Sequence, residues 1–109
     1  MTIQHKNLAA GKWNTFSLVE QMGNIGSEIS RAVRWQYTDE KLYQHAIERA
    51  LELLDLTMSD PRWCRRLKEL ARVRESICDA LMGGVEYTSS FVDLERYFFS
   101  FAFAARMSK

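Results

Sequence analysis

The sequence is poor in the residues that stabilise small secreted scaffolds. It has two cysteines in 109 residues, too few for a disulfide-stabilised fold. Cys64 and Cys78 fall in one predicted helix, about 21 Å apart by the rise of an α-helix, so they cannot pair within the chain. Free thiols are typical of a reducing compartment.

Long apolar runs and a strong net charge are also missing. No stretch approaches the roughly 18 apolar residues of a membrane span, and the first residues lack the apolar core of a signal peptide. A net charge of +1 draws the chain neither to nucleic acid nor to a membrane, so only a local patch could do so. We therefore expect a cytoplasmic protein with no membrane partner.

Motifs for catalysis and metal binding are scarce. His45, the only histidine in a predicted helix, sits on a polar face, and neither cysteine has a partner at the spacing of zinc ligands. Phosphate-binding glycine loops and nucleophile elbows do not occur. These absences argue against an enzyme, a metal site and a cofactor, and no small-molecule substrate is indicated.

The sequence does contain strong helical periodicity. Apolar residues recur at helical spacing in four segments, roughly residues 18–35, 39–58, 61–82 and 91–106. Ser17 with Glu20, Thr38, and Asp60 before the only proline are typical helix starts. Short connections favour antiparallel neighbours, so we expect an all-α, up-down-up-down four-helix bundle. Residues 15–109 would form this single domain, behind an irregular segment of residues 1–14.

Two glycines, Gly23 and Gly26, lie inside the first predicted helix, where each costs about 1 kcal/mol relative to alanine. Gly26 lies on the apolar stripe and Gly23 at its shoulder. We expect both to admit another helix backbone, the aromatic fourth helix being the candidate. Close approach to a ligand is the alternative. On the packing interpretation, Gly26→Leu would overpack the core, whereas Gly26→Ala would be tolerated.

The fourth helix is apolar on nearly all sides. Val92, Phe99 and Phe103 repeat at spacings of seven and four, well off its inner stripe. Exposed Phe pairs mark association surfaces, so we expect a homo-oligomer, most simply a dimer. The alternative is that the N-terminal segment folds over these rings. The predicted interface comprises Val92, Arg96, Phe99, Phe103 and Arg106.

The third helix carries basic residues near its start, where cations oppose the helix dipole. Pairing with Glu48, Glu52 and Asp55 of the second helix is one interpretation. A patch for anions or nucleic acid, with Trp63 free to stack, is the other. The patch would comprise Arg62, Trp63, Arg65, Arg66 and Lys68.

Arg74 differs from these basic residues, because it falls near the centre of the apolar stripe of the third helix. A buried arginine needs an acidic partner. Glu95, on the flank of the fourth helix, is the predicted partner in a buried ion pair.

Three stretches resemble a family of small four-helix bundles. They are SLVEQMGNIGSEISRAVRW, AIERALELLDLTM and RRLKELARVRESICDAL, within residues 17–81. The family includes the Avd accessory proteins of diversity-generating retroelements and the products of intervening sequences in ribosomal RNA. The resemblance implies a non-enzymatic, homo-oligomeric bundle, sometimes basic enough to contact nucleic acid.

A metal-dependent nucleotide hydrolase is the enzymatic alternative. Glu52 and Asp55 match the E-x-x-D pair of MazG-like pyrophosphohydrolases, but Gly23 stands where the E-x-x-E pair from Glu20 needs its second glutamate. We therefore place an oligomeric interaction or adaptor protein first, a nucleic-acid or nucleoprotein accessory second, and a hydrolase last.

Overall fold

The structure, a computed structural model, describes residues 11–84 and 90–107. Within these ranges the chain is all-helical and contains no strand, as the periodicity predicts. The long helices are α1 (Leu18–Trp35), α2 (Glu40–Met58), α3 (Leu67–Leu81) and α4 (Phe91–Met107), with a 3₁₀ helix (Pro61–Arg66) before α3. No helix in these ranges is long and apolar enough to cross a membrane.

The first two long helices begin at capping side chains. Ser17 Oγ accepts a hydrogen bond from the Glu20 backbone N–H, and the Glu20 carboxylate accepts one from the Ser17 N–H. This confirms the predicted capping box. The cap of α2 is Asp39, whose carboxylate accepts from the backbone N–H three residues on. The predicted cap at Thr38 is therefore one residue too early.

The predicted third helix is divided into two parts. Asp60 accepts a hydrogen bond from the Arg62 backbone N–H and caps the 3₁₀ helix. Trp63, with φ −106° and ψ 19°, is non-helical and marks the kink before α3 begins at Leu67. The expectation of one continuous helix is wrong. The bonds between Asp60 and Arg62 hold residues 61–66 in the tighter geometry of a 3₁₀ helix.

Helix α1 lies at the centre of the packing. It packs closely against both α2 and α4, whereas α3 makes fewer close backbone approaches to its neighbours. Met22, Ile25 and Ile29 of α1 are almost completely buried and form the middle of the core. The position of α4 is therefore set mainly by α1.

Gly26 is buried where α1 meets α4. A Cβ built on Gly26 would lie 2.6 Å from the Cβ of Phe98, a distance that real Cβ contacts do not reach. Phe98 is itself 1% exposed. The packing interpretation of Gly26 is confirmed, but the expectation that alanine is tolerated is wrong, because the clash is with an atom fixed to the backbone. Gly23 is also buried, and its close packing stays a prediction.

Residues 11–14 do not form the irregular segment that the sequence suggests. Residues 11–13 are helical, and Trp13 is 5% exposed. The Trp13 indole donates a hydrogen bond of 3.0 Å to Thr57 Oγ1 of α2. This long-range contact makes residues 11–14 part of the domain. Residues 1–10 of the predicted segment lie outside the described residues.

We expect Gly26→Ala to lower the free energy of unfolding by about 1–3 kcal/mol, because the added Cβ pushes α1 and α4 apart. This exceeds the gain in helix propensity of about 1 kcal/mol. Chemical denaturation measures the difference. Gly11→Ala is the control, since nothing lies within 4 Å of a Cβ at that helical position. Equal effects of the two substitutions would contradict the close approach.

Candidate functional site

The outer face of α4 carries two exposed phenylalanine rings. Phe99 is 64% exposed and Phe103 is 55% exposed. Their rings stack, with centroids 6.5 Å apart and planes inclined by 27°. Val92, on the same side of the helix, is 53% exposed. The exposure expected for this second apolar seam is therefore observed.

The seam, which we define as Val92, Arg96, Phe99, Phe103 and Arg106, has the spacing of a coiled-coil contact. Its members are separated by four, three, four and three residues, and all five are exposed. The opposite side of α4 buries Phe91, Leu94 and Phe98 in the core. A helix in so small a domain cannot bury both sides internally, so the seam faces outward.

The N-terminal residues that the structure describes do not cover the seam. The rings of Trp13 and Phe16 are in edge contact, with centroids 5.7 Å apart. Trp13 bonds to Thr57 of α2, and the Phe16 carbonyl accepts a hydrogen bond of 2.8 Å from Arg62. Residues 13–16 therefore pack against the end of α2 and the 3₁₀ helix. For these residues the alternative of a folded-over segment is wrong.

A groove runs beside the seam, between α1 and α4. Small residues of α1 form one side, and Val92, Phe98 and Phe99 of α4 form the other. Glu95, Arg96 and Arg106 line the same groove. Within residues 11–84 and 90–107, none of these three charged side chains takes part in an ion pair. The α1 residues are Gly23, Gly26, Ser27 and Ser30.

The first two residues of the predicted basic patch have structural roles. Arg62 pairs with Asp60 at 2.8 Å, and its guanidinium stacks 4.5 Å from the centre of the Trp63 ring. The hydrogen bond from Arg62 lowers the pKa of the Asp60 carboxyl. The Trp63 indole donates to Gln21 Oε1 at 3.0 Å. The prediction that Trp63 is free to stack on a base is therefore wrong.

The rest of the patch is exposed. Arg65, Arg66 and Lys68 line a shallow groove together with Arg72 of α3. Arg66 pairs with Glu69 one turn along the chain, at 3.1 Å. In the described part of the chain, no residue of the patch pairs with an acid of α2, so the expected pairing across to that helix is wrong for these residues.

Arg74 pairs with Asp55, and not with Glu95 as predicted. Its Nε donates to Asp55 Oδ1 at 2.8 Å, and both side chains are more than 40% exposed. This bond raises the pKa of the Arg74 guanidinium. The buried line of α3 passes through Leu70 and Ile77, and Arg74 lies beside it, on the flank that faces α2. An exposed pair of this kind adds only about 0.2–1 kcal/mol.

A buried polar network, which the sequence patterns do not reveal, joins three segments near the start of α1. Gln21 is completely buried, and its Nε2 donates to the Trp13 carbonyl at 2.9 Å while its Oε1 accepts from Trp63. Thr57, also completely buried, accepts from Trp13 and donates to the Leu53 carbonyl. The signal that could have found it is the pair of tryptophans, because a buried indole N–H needs an acceptor.

The acidic residues of the hydrolase alternative do not converge. Glu20 belongs to the capping box of α1, and Asp55 is bound to Arg74. Glu52 is buried. Among the residues that the structure describes, no group of three His, Cys, Asp or Glu side chains could hold a metal ion.

Comparisons with protein-family models, with curated proteins and with solved structures find no match to this chain.

We expect Thr57→Val to lower the free energy of unfolding by about 1–3 kcal/mol, because it leaves the buried Trp13 indole N–H without its acceptor. Trp13→Phe removes the same hydrogen bond from the other side. The double variant should lose less than the sum of the two single losses, by about 0.5 kcal/mol or more. Urea denaturation of all four proteins measures this, and additive losses would contradict the bond.

Proposed function

We propose that the protein is a non-catalytic, homo-oligomeric helical bundle that acts as an interaction or adaptor protein. The contact between its copies is the seam on α4. The observation that carries this proposal is the exposed, stacked pair Phe99 and Phe103. A few hundred Å² of apolar surface in water costs several kcal/mol at about 25 cal/mol per Å². A twofold interface is the simplest cover, because it buries the same patch on both chains.

The proposed arrangement is an antiparallel, up-down-up-down bundle. Glu28 of α1 and Arg49 of α2 form an ion pair of 3.1 Å, and they lie about two and about two and a half turns, respectively, from the connection between these helices. Such a pair supports antiparallel neighbours. Tyr43 and Phe91, near the starts of α2 and α4, are in edge contact at 5.8 Å, as expected when these two helices run in the same direction. This arrangement leaves the seam on the outside of the bundle.

We expect the double substitution Phe99→Glu and Phe103→Glu to give a helical monomer, because four added charges per dimer replace the apolar contact. Light scattering measures the mass, and circular dichroism the helix content. Tyr37→Glu with Met82→Glu is the control, since these apolar residues are 89% and 76% exposed elsewhere on the surface. It should leave the oligomer intact. Unfolding of the α4 variant, or dissociation of the control, would contradict the proposal.

A second candidate function is that of a nucleic-acid or nucleoprotein accessory protein. The observation that favours it is the groove of α3, where Arg65, Lys68 and Arg72 are exposed and have no ion pair within the described residues. Cations placed along one groove can follow a phosphate backbone without reading its sequence. The resemblance to the Avd-containing family agrees with this function and stays a prediction.

For this second function we expect Arg65→Glu with Lys68→Glu to weaken binding to a short DNA duplex and to reduce its salt dependence, since fewer counterions are released. Fluorescence anisotropy over a salt series measures both quantities. Arg34→Glu with Lys41→Glu is a control of equal charge on other exposed positions. No binding by the unmodified protein, or an equal loss in the control, would exclude the α3 groove as the site.

A further inference from the structure

The groove beside the seam on α4 carries charges of both signs. Glu95, which is half-buried, lies near the start of the helix, and the exposed Arg106 lies near its end. Both line the groove between α1 and α4, and neither forms an ion pair within residues 11–84 and 90–107. Half-buried charges are costly without a partner. The groove thus has an unpaired acid, Glu95, and an unpaired base, Arg106, near opposite ends of the apolar strip, and a second unpaired base, Arg96, next to Glu95 in the sequence.

We infer that the partner on this seam is a second copy of the chain whose α4 runs antiparallel, so that Glu95 of each copy pairs with Arg106 of the other. The inference rests on the self-association proposed above and adds the direction and the charged contacts of the interface. Two such pairs form in each dimer, one on each side of the twofold axis.

The positions of the two charges on the helix favour this direction. Glu95 and Arg106 are eleven residues apart, which places them within about 20° of each other around the helix axis. In an antiparallel pair, equivalent flanks of the two helices face each other. With a crossing point between Ser100 and Phe101, Glu95 comes level with Arg106 of the second copy. In a parallel twofold pair this flank would instead face the opposite flank of the partner, where Glu95 comes level with Arg96 and Arg106 meets no acid.

The groove provides space for the partner's side chains. Its α1 side consists of Gly23, Gly26, Ser27 and Ser30, which have little or no side chain to fill it. Phe98 is buried beneath, so the groove has an apolar wall beside the exposed Phe99. A Phe99 ring from the second copy can therefore rest against α1 as well as α4. The contact then includes α1 as well as α4, which increases the surface area that the dimer buries, as a stable interface requires.

Charge exchange tests the pairing. We expect Glu95→Arg alone and Arg106→Glu alone each to raise the dimer dissociation constant by about tenfold or more, because each places two like-charge contacts in the dimer. Combining both substitutions in one chain should restore the dimer. An equimolar mixture of the two single variants should also restore it as a heterodimer, because both of its contacts are then opposite in sign. Sedimentation velocity measures the constants, and Arg72→Glu is the control at an exposed arginine elsewhere.

Cysteine cross-linking tests the direction without a change of charge. In a chain with Cys64→Ser and Cys78→Ser, Ser100→Cys should be joined between copies by a short bismaleimide, whereas Val92→Cys should not, because the two Val92 residues lie far apart in an antiparallel pair. Joining through position 92 would show a parallel contact and overturn the inference. A stable dimer that is insensitive to both charge reversals would also overturn it while leaving the proposed function intact. An unmodified protein that stays monomeric would contradict the proposed function itself.

Discussion

The contact between Gly26 and Phe98 fixes the position of α4. With no Cβ on Gly26, the β-carbon of Phe98 comes to within 2.6 Å of where that atom would stand, so α1 and α4 lie unusually close. Successive residues of a helix point about 100° apart. Once Phe98 is directed into α1, its neighbour Phe99 is turned away from the core, and Phe103 follows it one turn later. The exposed seam is therefore a geometric consequence of the buried contact, and the proposed dimer depends on it.

The start of α1 is held by polar contacts. Gln21 joins Trp13 to Trp63, and Arg62 joins Asp60 to the Phe16 carbonyl. These bonds bring the N-terminal residues, the end of α2 and the 3₁₀ helix together. The same bonds engage Arg62 and Trp63, the first arginine and the tryptophan of the predicted basic patch. What remains exposed for a phosphate backbone is the groove of α3, which contains basic residues without an aromatic partner.

Local signals in the sequence predicted local structure well. The bounds of α1 and its capping box depend on neighbouring residues only, and both were predictable. Gly26 was also recognisable, because a glycine on an apolar stripe has few other uses. The break at Trp63, the bond from Trp13 to Thr57 and the pairing of Arg74 with Asp55 were not. Each depends on contacts between segments that are far apart in the sequence, and the rotation of α3 about its own axis decides whether Arg74 faces α2 or α4.

In the proposed dimer, α4 buries one side on α1 and the other on a second copy of the chain. Sedimentation equilibrium of the unmodified protein, from high to low micromolar concentration, measures this association. We expect an average mass well above the 12.7 kDa of one chain at high concentration, falling toward that value on dilution unless association is too tight to reverse. A mass of 12.7 kDa at every concentration would contradict it, because the exposed Phe99 and Phe103 would then have no second copy to cover them.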